Sequence, residues 1–213
     1  TLFRDSFTVS AWVKPRDGQK ADMGILGVET GAFMTAGTSV FRFYINALGG
    51  LMFWHDVGVK ISGGSTTAIH FTDGVNSYAH VAIVVQKVTD GQTQYYVYIN
   101  GGRVGLSLLG NEDDTFRLTD TEHVLFDSGG LDVSIGAFND DGTQTNFLDG
   151  SLDEVSVFDA ALNSSDVDDL YNKGNPYDLT SNSDLLMYYR FEDHATPTTA
   201  VDTTGNHTGT VNG

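Results

Sequence analysis

Residues 133–161 read VSIGAFNDDGTQTNFLDGSLDEVSVFDAA. The pattern predicts a strand, a long polar loop and a second strand. The first strand runs Val133 to Phe138, and the loop from Asn139 to Asp149 is crowded with oxygen-bearing side chains. The second strand, Ser151 to Phe158, opens with the carboxylate pair Asp153-Glu154 and then alternates Val155 and Val157 with Ser156 and Phe158. A period of two with β-branched residues is the strand signature. A loop that gathers Asp, Asn and Thr oxygens between two pinned strands suits a hard cation or a polar ligand such as a sugar.

Outward from this stretch the same pattern repeats. FTVSAWVK (Phe7 to Lys14) alternates apolar and polar residues and is closed by Pro15 and the Asp17-Gly18 turn. Met23 to Glu29 is the next strand, followed by a loop from Gly31 to Thr38. Val40 to Ala47 and Leu51 to Asp56 form a hairpin around Leu48-Gly49-Gly50. A short strand is expected near Thr66 to Phe71, after a Ser62 to Ser65 loop. Tyr78 to Val85 is almost continuously apolar, as a central strand should be, and pairs across Asp90-Gly91 with Gln94 to Asn100. Arg103 to Leu108 follows as one strand, and Gly110 to Glu122 as an acidic loop with a short strand at Phe116 to Leu118.

One helix is marked. Asn163 is its N-cap, Asp166 completes a capping box, and Val167, Leu170 and Tyr171 share a face. Gly174 and Pro176 stop it. Leu185 to Phe191 is the last strong strand. About a dozen strands with regular turns and a single helix specify an all-β antiparallel sandwich.

Composition narrows the function. The 213 residues suffice for one large β domain. Eleven Lys and Arg against 28 Asp and Glu leave a formal charge of −17. A nucleic-acid partner needs a basic face, so that class is excluded, and anionic lipid is disfavoured. Without cysteine there is neither a disulfide nor a thiolate metal site. No stretch is long and apolar enough to insert in a membrane as a helix. The chain opens on Thr1 and runs straight into a strand, which reads as a piece of a larger protein.

Four segments then carry a resemblance: SFTVSAWVKP (6–15), YAHVAIVVQKVTDGQTQYYVYINGGRVG (78–105), SIGAFNDD (134–141) and LDGSLDEVSVFDAALNSSDVDDLYNKG (148–174). In this order they resemble the concanavalin A-like jelly roll of laminin-G-like domains, over Phe7 to Gly174. The resemblance implies a two-sheet jelly-roll sandwich, a fold shared by lectins, adhesins, pentraxin-like proteins and glycosidases. LLMYYRFED and VDTTGNHTGTVNG at the end resemble the segment that usually opens such a domain. Residues 185–213 are therefore expected either to fold back beside the first strand and complete the sheet, so that 1–213 is a single domain, or to open a following module.

The resemblance also implies calcium at the rim of the sandwich. Asp153 shares the parity of Val155 and Val157. If the valines point inward, Asp153 does too, and a cation would relieve its desolvation. Asp193, Asp202 and Asn206, which the resemblance brings near this strand, complete the expected set; the alternative is that Asp153 caps a turn or pairs with Arg190. The Asn139-Asp140-Asp141-Gly142 loop, placed like the pentraxin calcium loop, is a second candidate for ligand or cation. Arg42, Tyr44, Trp54 and His55 on one hairpin supply rings and donors for a sugar. Trp12 is assigned to packing.

No catalytic set emerges. Glucanases of similar fold carry closely spaced acids on one strand, whereas Asp153, Glu154 and Asp159 have another spacing. His80 reads as a structural strand residue. Asn163-Ser164-Ser165 and Asn206-His207-Thr208 match the glycosylation pattern. The expectation is a non-catalytic, monomeric module of an extracellular, cell-surface or virion-surface protein that binds carbohydrate or a glycosylated partner with calcium. The alternatives are a structural spacer of a surface array or phage fibre, and then a glycoside hydrolase.

Overall fold

Alternating apolar residues need something to bury against, and here two sheets supply it for each other. The computed structural model describes residues 6–16, 21–29, 40–56, 60–68, 78–87, 93–108, 132–192 and 198–212. The expected strand at Phe116 to Leu118, the loops at Gly31 to Thr38 and Gly110 to Glu122, and Asp193 lie outside these residues.

The first sheet holds β1 (Phe7–Pro15), β6 (Ala79–Lys87), β7 (Thr93–Ile99), β8 (Gly102–Val104), β13 (Gly150–Phe158) and β14 (Leu185–Tyr189), in the order β14-β13-β1-β6-β7-β8. The second holds β2 (Met23–Glu29), β3 (Val40–Ile45), β4 (Gly50–Asp56), β5 (Lys60–Ala68), β9 (Leu106–Leu108) and β10 (Asp132–Ile135), in the order β10-β2-β3-β4-β5-β9. Their ladders are antiparallel. The inner faces meet through Phe7, Val9, Ala11 and Val13 of β1 and Phe41, Phe43 and Ile45 of β3. Phe7 meets Phe41 edge-on at 5.3 Å, and Phe53 stacks on Tyr95 at 4.8 Å. Each such pair adds about 1 kcal/mol beyond the area it buries. This is the all-β sandwich expected from the alternation, in the jelly-roll form that the resemblance implies.

Several elements differ from expectation. The strand expected at Arg103 to Leu108 breaks at Gly105: β8 belongs to the first sheet and β9 to the second, so the chain changes sheets there. The glycines at 63 and 64 lie inside β5 rather than in a loop before it. Helix α1 (Ser164–Tyr171) has the expected capping box, with Asn163 Oδ1 accepting from the Ser165 and Asp166 N–H groups. It ends at Asn172, whose left-handed backbone (φ 43°) breaks the ladder before Gly174 is reached.

The tail strand β14 pairs with β13, not with β1. Beyond it, Thr203 N–H donates to Tyr188 O and Asp202 Oδ1 accepts from Tyr188 N–H, satisfying the edge of the sheet.

Candidate ligand-binding face

The outer faces of the two sheets are covered differently. On the first, Trp12 lies opposite His80 and stacks on Tyr171 of α1 at 5.9 Å. Ala82, Val84 and Tyr98 pack against Val167 of the same helix. Ser10 Oγ lies 2.8 Å from His80 Nε2, and both residues are buried. Burial lowers the His80 pKa to about 4. The face is closed: Trp12 is packing, as expected, and His80 is structural.

On the second sheet the outward positions include Gly24, Gly27, Glu29, Arg42, Tyr44, Met52 and Trp54, all of opposite parity to the core residues. The stretch that opened the sequence reading lies across them. Gly136, at φ 75°, turns the chain at the end of β10. Its N–H donates to Ile25 O at 3.0 Å, and its own carbonyl accepts from Leu148 N–H at 2.7 Å. The residues expected to form a long loop then make a two-stranded ribbon, β11 (Phe138–Asp140) with β12 (Thr143–Thr145). Asp141 and Gly142 form its two-residue turn with φ values of 51° and 85°. Two successive positive φ values suit the right-handed twist of a hairpin and favour Asp-Gly. Asn139 Oδ1 accepts the Gly142 N–H at 2.8 Å.

Glycine on β2 makes room for this ribbon. A Cβ on Gly27 would stand 2.8 Å from Phe138 Cδ1, and one on Gly24 would stand 2.9 Å from the Ala137 backbone carbon. Phe138 therefore seats directly on the sheet. Its ring lies 4.5 Å from Arg42 Cζ, and the Tyr44 ring meets it edge-on at 6.1 Å. Arg42 Nε donates to Glu29 Oε1 at 2.6 Å. Burial raises the Glu29 pKa, outweighing the Arg42 charge and hydrogen bond that lower it; the Asp140 charge raises it further, and the Asn139 N–H lowers it. Burial also raises the Tyr44 pKa, with the Asp22 charge adding to it and Arg42 opposing.

Arg42, Tyr44, Trp54, Asn139 and Asp140, expected as two separate candidates, thus meet on one face around Glu29. Asp141 occupies the exposed tip of the ribbon. His55 sits opposite Phe41 on the inward parity of Leu51 and Phe53, not with Trp54, and its side chain lies outside the described residues. Glu29 and Phe138 were not singled out from sequence. The Asp-Gly pair was the available signal for the ribbon, and an acid at the end of an otherwise apolar β2 was the signal for Glu29.

The parity expected for Asp153 is corrected. Asp153 does not share the inward parity of Val155. Ser10 pairs with Ser156 but Trp12 with Asp153, so β13 carries an extra residue there, and Glu154 takes φ 51°. This β-bulge turns Asp153 to the outer face with Trp12. Glu154 accepts from the Tyr188 hydroxyl and lies 3.9 Å from Arg190. Burial raises the pKa of both acids.

Asp202 is 2 % exposed, and its carboxylate is filled by hydrogen-bond donors: the N–H groups of Tyr188, Thr204, Asn206 and His207 and the Thr204 hydroxyl. Burial would raise its pKa, but the bonds from Thr204, Tyr188 and His207 outweigh that and lower it. Donors aimed at a carboxylate occupy the lone pairs a cation would use, so Asp202 is committed to this network. Asn206 contributes its N–H to that network, not an oxygen. Among the described residues no group of three or more His, Asp or Glu could hold a metal ion.

A family profile for the concanavalin A-like lectin/glucanases superfamily matches residues 1–168. No curated protein sequence matches the chain. Among solved structures, it is similar to the CBM40 module of the Ruminococcus gnavus IT-sialidase bound to α2,3-sialyllactose. That likeness has a TM-score of 0.57 and 18 % identity, and covers 79 % of this chain and 83 % of that one. A provisionally assigned carbohydrate binding protein from Bacteroides ovatus matches with TM-score 0.64 and 22 % identity, over 100 % of this chain and 53 % of its own. The heptameric SAP-like pentraxin of Limulus polyphemus matches with TM-score 0.52 and 20 % identity, over 79 % and 70 %. At these identities the likeness is one of fold. With the profile spanning most of its length and the sandwich to match, the chain belongs to the concanavalin A-like lectin/glucanases superfamily.

Proposed function

We propose that the chain is a non-catalytic carbohydrate-binding module of a larger extracellular or surface protein, with its ligand on the outer face of the second sheet. One observation carries this: the ribbon of residues 138–145 gathers aromatic rings, an ion pair and amide and carboxylate groups on that face, while the other outer face is sealed by a helix. Rings stack on the C–H faces of sugars, and fixed polar groups bind hydroxyls. Relatives of the same fold named as carbohydrate-binding support the reading. A hydrolase needs an acid that can reach a glycosidic oxygen. Glu29, the buried acid of this face, is 3 % exposed and bound to Arg42.

The test is a glycan array probed with the unmodified chain, Trp54→Ala and Trp12→Ala. The expected result is a defined set of glycans bound by the unmodified chain and by Trp12→Ala that refolds, and lost in Trp54→Ala. Silence of the unmodified chain across the array would overturn the proposal and favour a spacer.

A further inference from the structure

We propose that this face selects uncharged sugars and rejects sialylated or other acidic ones, an inference that rests on the carbohydrate-binding reading. A carboxylate on a sugar is captured by a cation or by a fork of donors left open to it. Among the described side chains Arg42 is the cation of this face, and it is engaged on two sides. Its Nε is 2.6 Å from Glu29, its Cζ lies under the Phe138 ring at 4.5 Å, and its side chain is 7 % exposed. Glu29 already neutralises it.

The surrounding charges have the same sign. Asp140 acts on Glu29, Asp22 acts on Tyr44, and Asp141 stands at the exposed tip of the ribbon. The whole chain adds a formal −17. Among the described side chains an acidic sugar therefore meets like charge without an open counter-ion, and juxtaposed like charges disfavour a partner strongly. Sugar hydroxyls, which donate as well as accept, suit a face of acceptors and rings.

The experiment is an array that pairs neutral glycans with their sialylated counterparts, read at low and high sodium chloride. The expected result is binding of neutral glycans, with sialylated counterparts weaker by about ten-fold or more at low salt. The gap narrows as salt shortens the screening length from roughly 30 Å at 0.01 M to roughly 8 Å at 0.15 M. Asp140→Asn with Asp141→Asn narrows it as well. Asp141→Asn alone retains a turn-forming Asn-Gly pair and gives a smaller narrowing in a chain that still folds. Sialylated glycans bound as tightly as their neutral counterparts, or a gap unmoved by salt and by both variants, would overturn the inference. Silence toward every glycan would instead remove the carbohydrate-binding reading beneath it.

Discussion

The chain has two tryptophans, and they stand on opposite outer faces of the sandwich. Trp12 lies on the first sheet beneath helix α1, 6 % exposed and stacked on Tyr171. Trp54 lies on the second sheet, half-buried, across from Arg42. A helix with an apolar stripe closes its face. A polar ribbon two residues wide at its turn leaves its face partly open. The two faces share one core, so their difference comes from what each covering segment brings: Val167, Leu170 and Tyr171 in one case, Phe138, Asn139 and Asp140 in the other. On the proposed reading the first face contributes stability and the second recognition.

The strongest way to break this comparison is at Glu29. Replacing it with Ala leaves Arg42 buried without its partner, and loss of about 3–5 kcal/mol is expected on urea unfolding. The double variant Glu29→Leu with Arg42→Met should recover much of that stability but not glycan binding. Stability left intact by Glu29→Ala would show that the pair does not anchor the second face. Next is Trp12→Ala, expected to cost about 3 kcal/mol by removing a packed ring while leaving the glycan profile of the refolded chain unchanged. A changed profile would contradict the division of roles.

Acid sharpens the contrast. His80 is held neutral, with a pKa lowered from 6.5 to about 4. Between those values the unfolded chain binds the proton and the folded one does not, so stability falls as pH falls from 6.5 toward 4. The full loss is up to about 3 kcal/mol. Urea titrations across this range should show that slope, and His80→Gln should flatten it. The raised pKa of Glu29 acts with the opposite sign, since it binds its proton more readily folded than unfolded. The smallest effect is expected at Gly24→Ala. The new Cβ forces the Ala137 backbone outward, for a loss of about 1–3 kcal/mol. Binding should drop more than stability, because the ribbon is displaced while the core is not. Unchanged binding would detach the ribbon from the site.

Much of the fold was legible. Phe7, Val9, Ala11 and Val13 alternate because one side of β1 is buried in the core; the same rule exposed β3 and β7, and a near-continuous apolar run marked β6. The helix was legible from Asn163 and Asp166, whose chemistry is local. What failed was non-local or hidden in backbone geometry. A bulge at Glu154 reverses the parity of Asp153, and nothing in Leu-Asp-Glu-Val announces a Glu at positive φ. The inward position expected for Asp153 rested on that parity and fell with it. The passage of the chain between sheets at Gly105 depends on tertiary packing. The ribbon was legible in part: Asp141-Gly142 is a hairpin signal, masked by the polarity of its neighbours. The residues of the proposed face were read as separate groups. Only the fold of residues 136–148 over β2 unites them.

The most direct test uses the two tryptophans as reporters. The chain is labelled with 5-fluorotryptophan, the two ¹⁹F resonances are assigned with Trp12→Phe and Trp54→Phe, and a glycan identified on the array is titrated in. The account predicts that the Trp54 resonance shifts to saturation while the Trp12 resonance stays in place. A saturating shift of Trp12 with Trp54 unmoved would contradict it.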